Sequence, residues 1–268
     1  MASFARRDAD IELYKPIFIA GVSGIGSVGR IAADLLIEQL HAVRLVRFYS
    51  DDLPPTARVD DDCSVAVPSY GLWAARLESR DVMILRGDCQ ATSLQGQASL
   101  AREAFREALK HDPSLTIALG GCYMDDQEAP ARLLGAVTDP RMKKRFEAHG
   151  IEFVPGTPDQ GIAGMPGTLM ALCEAYEVDG LCMIAETGGL FDDPLGARSI
   201  VEALSGILGV DIDASSLRED DAVQDEEPSA EADPPYFGRA SLPREAALPC
   251  SALEMVFHYP PVDLGQLS

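Results

Sequence analysis

The chain has no apolar run approaching the ~18 residues that a membrane-spanning helix needs, and its first ten residues, MASFARRDAD, lack the apolar core of a signal peptide. Both absences imply a soluble, cytoplasmic protein. Lysine is scarce: Lys15, Lys110, Lys143 and Lys144 stand against 18 arginines and 43 acidic residues, and the net charge is −21. Such a field repels phosphate, which argues against nucleic acid and against anionic membranes as partners. The four histidines (His41, His111, His149, His258) are scattered, with no cysteine or carboxylate at ligand spacing, so no metal site is expected. Six cysteines occur, none in a pair with the two-residue gap of zinc or redox motifs. Reduced, mostly buried thiols follow, although Cys89 and Cys122 fall just after expected strands, where a thiol can react. The chain also has no G-x-S-x-G elbow, no H-E-x-x-H and no Walker lysine.

What is present is an alternation. At 268 residues and 47% hydrophobic content, the chain can bury a large core without staples. Short apolar runs at 17–20, 43–49, 82–85, 116–119, 151–154 and 181–185 read as strands. Helical patterns at 27–40, 96–110, 139–149, 167–177 and 194–208 lie between or after them. Residues 63–68 and 71–77 read as the two arms of a hairpin turning at Pro68-Ser69-Tyr70-Gly71. Strands that alternate with helices of this length predict an α/β fold: a three-layer α/β/α sandwich on a mainly parallel sheet. The character changes after Leu217. Between Arg218 and Asp233 there are eight acidic residues and one arginine, the composition of a solvated linker. The expected organisation is therefore an α/β domain over 1–217, an acidic linker over 218–235 and a tail over 236–268. Within the tail, 253–259 (LEMVFHY) is apolar enough to dock.

One stretch carries the most chemistry. Residues 17–40 (IFIAGVSGIGSVGRIAADLLIEQL) read as strand, glycine turn and helix, with Gly24, Gly26 and Gly29 in the G-x-G-x-x-G spacing of a dinucleotide site. Glycines there let backbone approach a pyrophosphate at a helix N-terminus. Asp51 and Asp52, 22 and 23 residues beyond Gly29, stand where an acid would hold a ribose. The same glycines can equally serve to lay a helix close on the sheet. Ligands of doubly wound sheets bind beyond the carboxyl ends of the strands, and Asp88 and Glu186 are the acids placed immediately after buried strands. They either form an acid/base pair or cap neighbouring helices and turns. The second glycine turn, 161–167, has no charge nearby to define a ligand, so close packing is its expected purpose.

Six ordered blocks resemble the proteasome assembly chaperone family in its archaeal and bacterial branch. They are GVSGIGSVGRIAADLLIEQL, DVMILRGDCQATSLQGQ, TIALGGCY, GAVTDP with RFEAHGIEF, GIAGMPGTLMALCEAYEVDGLCMIAETGG, and DPLGARSIVEALSGILGVDID. The resemblance implies a non-enzymatic, chaperone-like homo-oligomer that binds proteasome α subunits and assists core assembly, with no cofactor and no catalytic residue to carry over. Some members dock through a tail ending hydrophobic–Tyr–any residue. This chain ends Gly265-Gln266-Leu267-Ser268, with Tyr259 nine residues earlier, and departs from that pattern. The alternative is an enzyme or sensor that binds a nucleotide at Gly24, Gly26 and Gly29 with Asp51 on the ribose.

Overall fold

The computed structural model describes residues 3–123, 131–156, 161–188 and 192–218. The acidic linker from residue 219 onward and the tail with residues 253–259 lie outside them, as does Cys250.

The fold is built outward from the run at 17–22. β2 (Ile17–Val22) is buried at every position, as a strand covered on both faces must be. Its side chains alternate between two cores. Ile17 and Ile19 point into one and Phe18, Ala20 and Val22 into the other. β7 (Asp81–Gly87) and β8 (Leu115–Tyr123) pair with β2 in parallel, and β10 (Gly180–Thr187) pairs in parallel with β8. Antiparallel strands flank this centre. On one side stand β6 (Tyr70–Arg76), β3 (Val43–Ser50) and the edge strand β1 (Ser3–Arg7); on the other stands β9 (Leu133–Val137). The order is β1-β3-β6-β7-β2-β8-β10-β9. Five of the eight strands (β3, β7, β2, β8, β10) point the same way.

Helices close both faces. α1 (Val28–Gln39) and α5 (Pro194–Leu208) pack against each other over one core. α2 (Leu94–Leu109) and α4 (Gly164–Ala175) do the same over the other. The short α3 (Lys143–Glu147) buries Phe146 in the α1/α5 core. Local chemistry sets the helix ends. Ser93 accepts from the Gly96 N–H at 2.9 Å and Asp193 from the Gly196 N–H at 2.8 Å, so each caps its helix. Pro194 occupies the first turn of α5, and Gly209 ends it in the left-handed region. The three-layer α/β/α architecture is the expected one. Among the described residues, no helix is long and apolar enough to cross a membrane.

Two expectations about strands need correction. Residues 63–68 do not pair with 71–77. β5 (Val65–Ala66) instead forms a small hairpin with β4 (Arg58–Val59), while β6 pairs with β3 and β7. The turn that reverses the chain into β7 is at Leu77–Arg80, where the Leu77 N–H donates to the Arg80 carbonyl at 3.0 Å. Residues 151–154 form no strand; they contribute a single bridge between Leu134 and Glu152.

Candidate functional site

The carboxyl ends of β7, β2, β8 and β10 meet at one edge of the sheet, around the glycine turn that follows β2. The turn is tightly packed. A Cβ on Gly21 would overlap the Gly29 carbonyl, and one on Gly121 would overlap the Ile25 carbonyl. α1 can therefore lie on β2, and the turn on β8, only because these positions are glycine. Gly26 has φ 62°, the left-handed region. A Cβ there would stand 2.9 Å from Thr187 Oγ1 and 3.2 Å from Asp193 Cβ. The Gly26 carbonyl accepts from the Asp193 N–H at 2.8 Å. The turn is thus fastened to the start of α5, nearly 170 residues later in the chain. Gly24 is more open, with the Gln90 side-chain nitrogen 3.6 Å from its Cβ position.

Asp51 is not brought to the glycines. It follows β3, which stands three strand positions from β2, about 14 Å at ~4.8 Å per strand. The dinucleotide fingerprint takes its acid from the strand next to the glycine turn. Asp52 is buried and works locally. It accepts from Ser93 Oγ at 3.0 Å, and α2 packs so closely that a Cβ on Gly96 would overlap it.

Asp88 and Glu186 are also separated by three strand positions and have different partners. Asp88 binds the Arg86 guanidinium and accepts from the Ser69 N–H at 2.8 Å and Ser69 Oγ at 3.2 Å, so it ties down the turn before β6. Glu186 receives Arg132 bidentately at 2.6 and 2.9 Å, and the Arg132 N–H at 3.0 Å. The Arg132 guanidinium holds its carboxyl below the ordinary glutamate value. Both acids act as fasteners of backbone. The second glycine turn is likewise a packing device: a Cβ on Gly167 would overlap the Ile162 carbonyl. Cys89 is half-buried, and burial pushes its thiol up from the ordinary value, with Asp88 adding to the effect. That environment disfavours thiolate.

The sequence reading missed a row of ion pairs along this edge. Arg30 of α1 reaches Asp192 at 2.7 Å and Asp34 at 3.3 Å; Arg86 of β7 reaches Asp34 at 2.7 Å and then Asp88. The spacing of Arg30 and Asp34, four residues apart on one helix, was its visible signal. The links to β7 and to the start of α5 depend on topology.

The chain is thus a three-layer α/β protein whose glycine turn is largely taken up by packing. It belongs to the PAC2 family, which matches residues 18–229. The crystal structure of Pyrococcus furiosus PbaB, an archaeal proteasome activator, superposes with a TM-score of 0.74 at 24% identity, covering 80% of this chain and 92% of that one. Pyrococcus furiosus PbaA, an archaeal homolog of proteasome-assembly chaperone, follows with a TM-score of 0.68 at 22% identity, covering 81% and 90%. The uncharacterized protein MJ1210 of Methanocaldococcus jannaschii is 28% identical over 213 residues, 79% of this chain and 81% of its own length.

Proposed function

We propose that this chain is a non-enzymatic, chaperone-like protein that works as a homo-oligomer in the cytoplasm and assists proteasome core assembly by binding α subunits. The observation that carries the reading is membership of the PAC2 family, joined to a fold shared with an archaeal proteasome activator and a proteasome-assembly chaperone homolog. The geometry of the glycine turn supports it. Gly21, Gly26, Gly29 and Gly121 are used for close packing, and Asp88 and Glu186 are held three strand positions apart. In this reading no bond chemistry is performed, and helix and sheet faces bind partner subunits by shape and charge.

The test is native mass spectrometry of the full chain, alone and after mixing with proteasome α subunits from the same organism. The expected result is an oligomer at its apo mass that gains α subunits. An oligomer that carries several hundred daltons of stoichiometric extra mass and ignores α subunits would overturn it. That outcome would return the glycine turn to the nucleotide reading.

A further inference from the structure

The α1 face of the sheet is unevenly covered. α1 and α5 pack over β7, β2, β8, β10 and β9. Beyond them, the same face of β6, β3 and β1 carries aromatic and arginine side chains. Arg44 lies opposite Trp73 in register, its guanidinium carbon 5.8 Å from the ring centre, and Trp73 borders the α1/α5 core. Leu45, Val46 and Phe48 point into the opposite core, which leaves Arg47 and Tyr49 on the α1 side. Their register partners on β1 are Arg6 and Phe4, and directly paired residues share a face. Phe4 stacks on Tyr49 at 4.9 Å and is still 64% exposed. Arg6, Arg44 and Arg47 all converge on one carboxylate, Asp8, at 3.1, 2.7 and 2.9 Å. Three cations on one anion leave this patch positive in a chain of net charge −21.

We propose that this arginine–aromatic face is the docking site for the chain's own acidic segment, residues 219–233, in the same copy. Three observations point to that occupant. The first is charge: the segment holds eight carboxylates and no cation, the opposite sign to a cluster with an excess of guanidinium. The second is the point of departure. Asp213 exchanges backbone hydrogen bonds with the Gln39 side chain at 2.6 and 2.8 Å. Gln39 is the last residue of α1, and Leu217 packs on the α1/α5 core. Gln39 leads in five residues to Arg44, so the described chain stops on the α1 side of the sheet, beside the helix end that runs on into the arginines of β3. The third is reach. Fifteen residues extend to about 50 Å, while the eight of β3 span about 27 Å. Exposed ion pairs are individually weak, but the tether holds the segment at about millimolar effective concentration, so several weak contacts suffice. The proposal stands on charge and geometry, independent of the proteasome reading.

The experiment replaces Phe4 with the photo-crosslinking residue p-azidophenylalanine in the full chain and maps adducts by mass spectrometry. An adduct within one chain to residues 219–233 is expected, with loss of that adduct in 1 M salt and in a variant whose eight acids there are changed to Asn or Gln. A second readout leaves the folded body unaltered. Trp73 is the chain's single tryptophan, and acrylamide should quench it more in the amide variant than in the original chain. Adducts joining two copies, or adducts elsewhere that persist in the amide variant with equal Trp73 quenching, would overturn the proposal.

Discussion

Two parts of one sheet use their side chains in opposite ways. At the centre, β7, β2, β8 and β10 are covered on both faces, and their carboxyl ends are packed shut by Gly21, Gly26, Gly29 and Gly121. At the flank, β3 and β6 bury one face in the core they share with α2, and β3 and β1 present Phe4, Arg6, Arg44 and Arg47 on the other. Gly21, Gly26 and Gly121 leave no room for a Cβ, so these residues are explained by the fold. The flank keeps charged groups and an aromatic ring near solvent, where burial does not account for them. Within the sheet, the side chains left near solvent therefore belong to the flank, although the glycine motif at the centre is what draws the eye in the sequence.

The largest effect is expected at the centre. Gly26→Val forces a β-branched residue to φ 62° and drives its side chain toward Thr187 and Asp193. Backbone strain and overpacking each cost about 1–3 kcal/mol, so a loss of about 3 kcal/mol is expected. At ~2–4 °C per kcal/mol for a domain of this size, the melting temperature should fall by roughly 10 °C. Calorimetry checks it. An unchanged melting temperature would mean that the turn is looser than this packing requires, and would erase the contrast with the flank.

A smaller effect is expected at Glu186, whose partner Arg132 is 43% exposed at its side chain. Glu186→Gln removes the charge from two guanidinium hydrogen bonds, and solvent at Arg132 limits the loss to about 1 kcal/mol at neutral pH. The sign with pH follows from the lowered carboxyl value. The stabilisation is present above the ordinary glutamate value near 4.5 and is lost as pH falls from there through the lowered folded value. The variant should therefore show a flatter loss of stability between about pH 5 and pH 3 than the original chain, read by urea unfolding across that range. Equal slopes would show that Glu186 fastens β10 to the chain entering β9 by shape alone.

The centre was legible in the sequence because its signals are local. The unbroken run at β2, the 3.6-residue periodicity of α2 and the Asp193-Pro194…Gly209 frame of α5 each sit within one element. β1 escaped notice because SFARR has no apolar alternation, and its pairing with β3 comes from 40 residues away. β9 escapes a sequence reading because LLGAV is short and has no alternation of apolar and polar residues. The expected hairpin at 63–77 failed for a related reason: residue alternation fits several partners, and only the assembled sheet chooses β3 and β7 for β6. The glycine spacing was plain, but its occupants Thr187 and Asp193 lie more than 150 residues away, so sequence alone left packing and ligand binding open. The ladder of Arg30, Asp34, Arg86 and Asp88 required the same long-range placement.

The smallest effect is expected at the flank, and it is the most informative. Phe4 and Tyr49 stack at 4.9 Å with an interplanar angle of 20°, but Phe4 is 64% exposed. An exposed aromatic pair contributes about 0.5–1 kcal/mol, so Phe4→Ala should lower the melting temperature by only about 2–3 °C. If the face is a bare margin of the sheet, the cost should be the same in the original chain and in the variant with its acids at 219–233 made neutral. If the acidic segment lies across the face, Phe4→Ala removes contact on both sides of the ring, and the original chain should lose more than the amide variant. A double-mutant cycle between the two changes measures that difference directly. A coupling near zero would make the flank as self-contained as the centre.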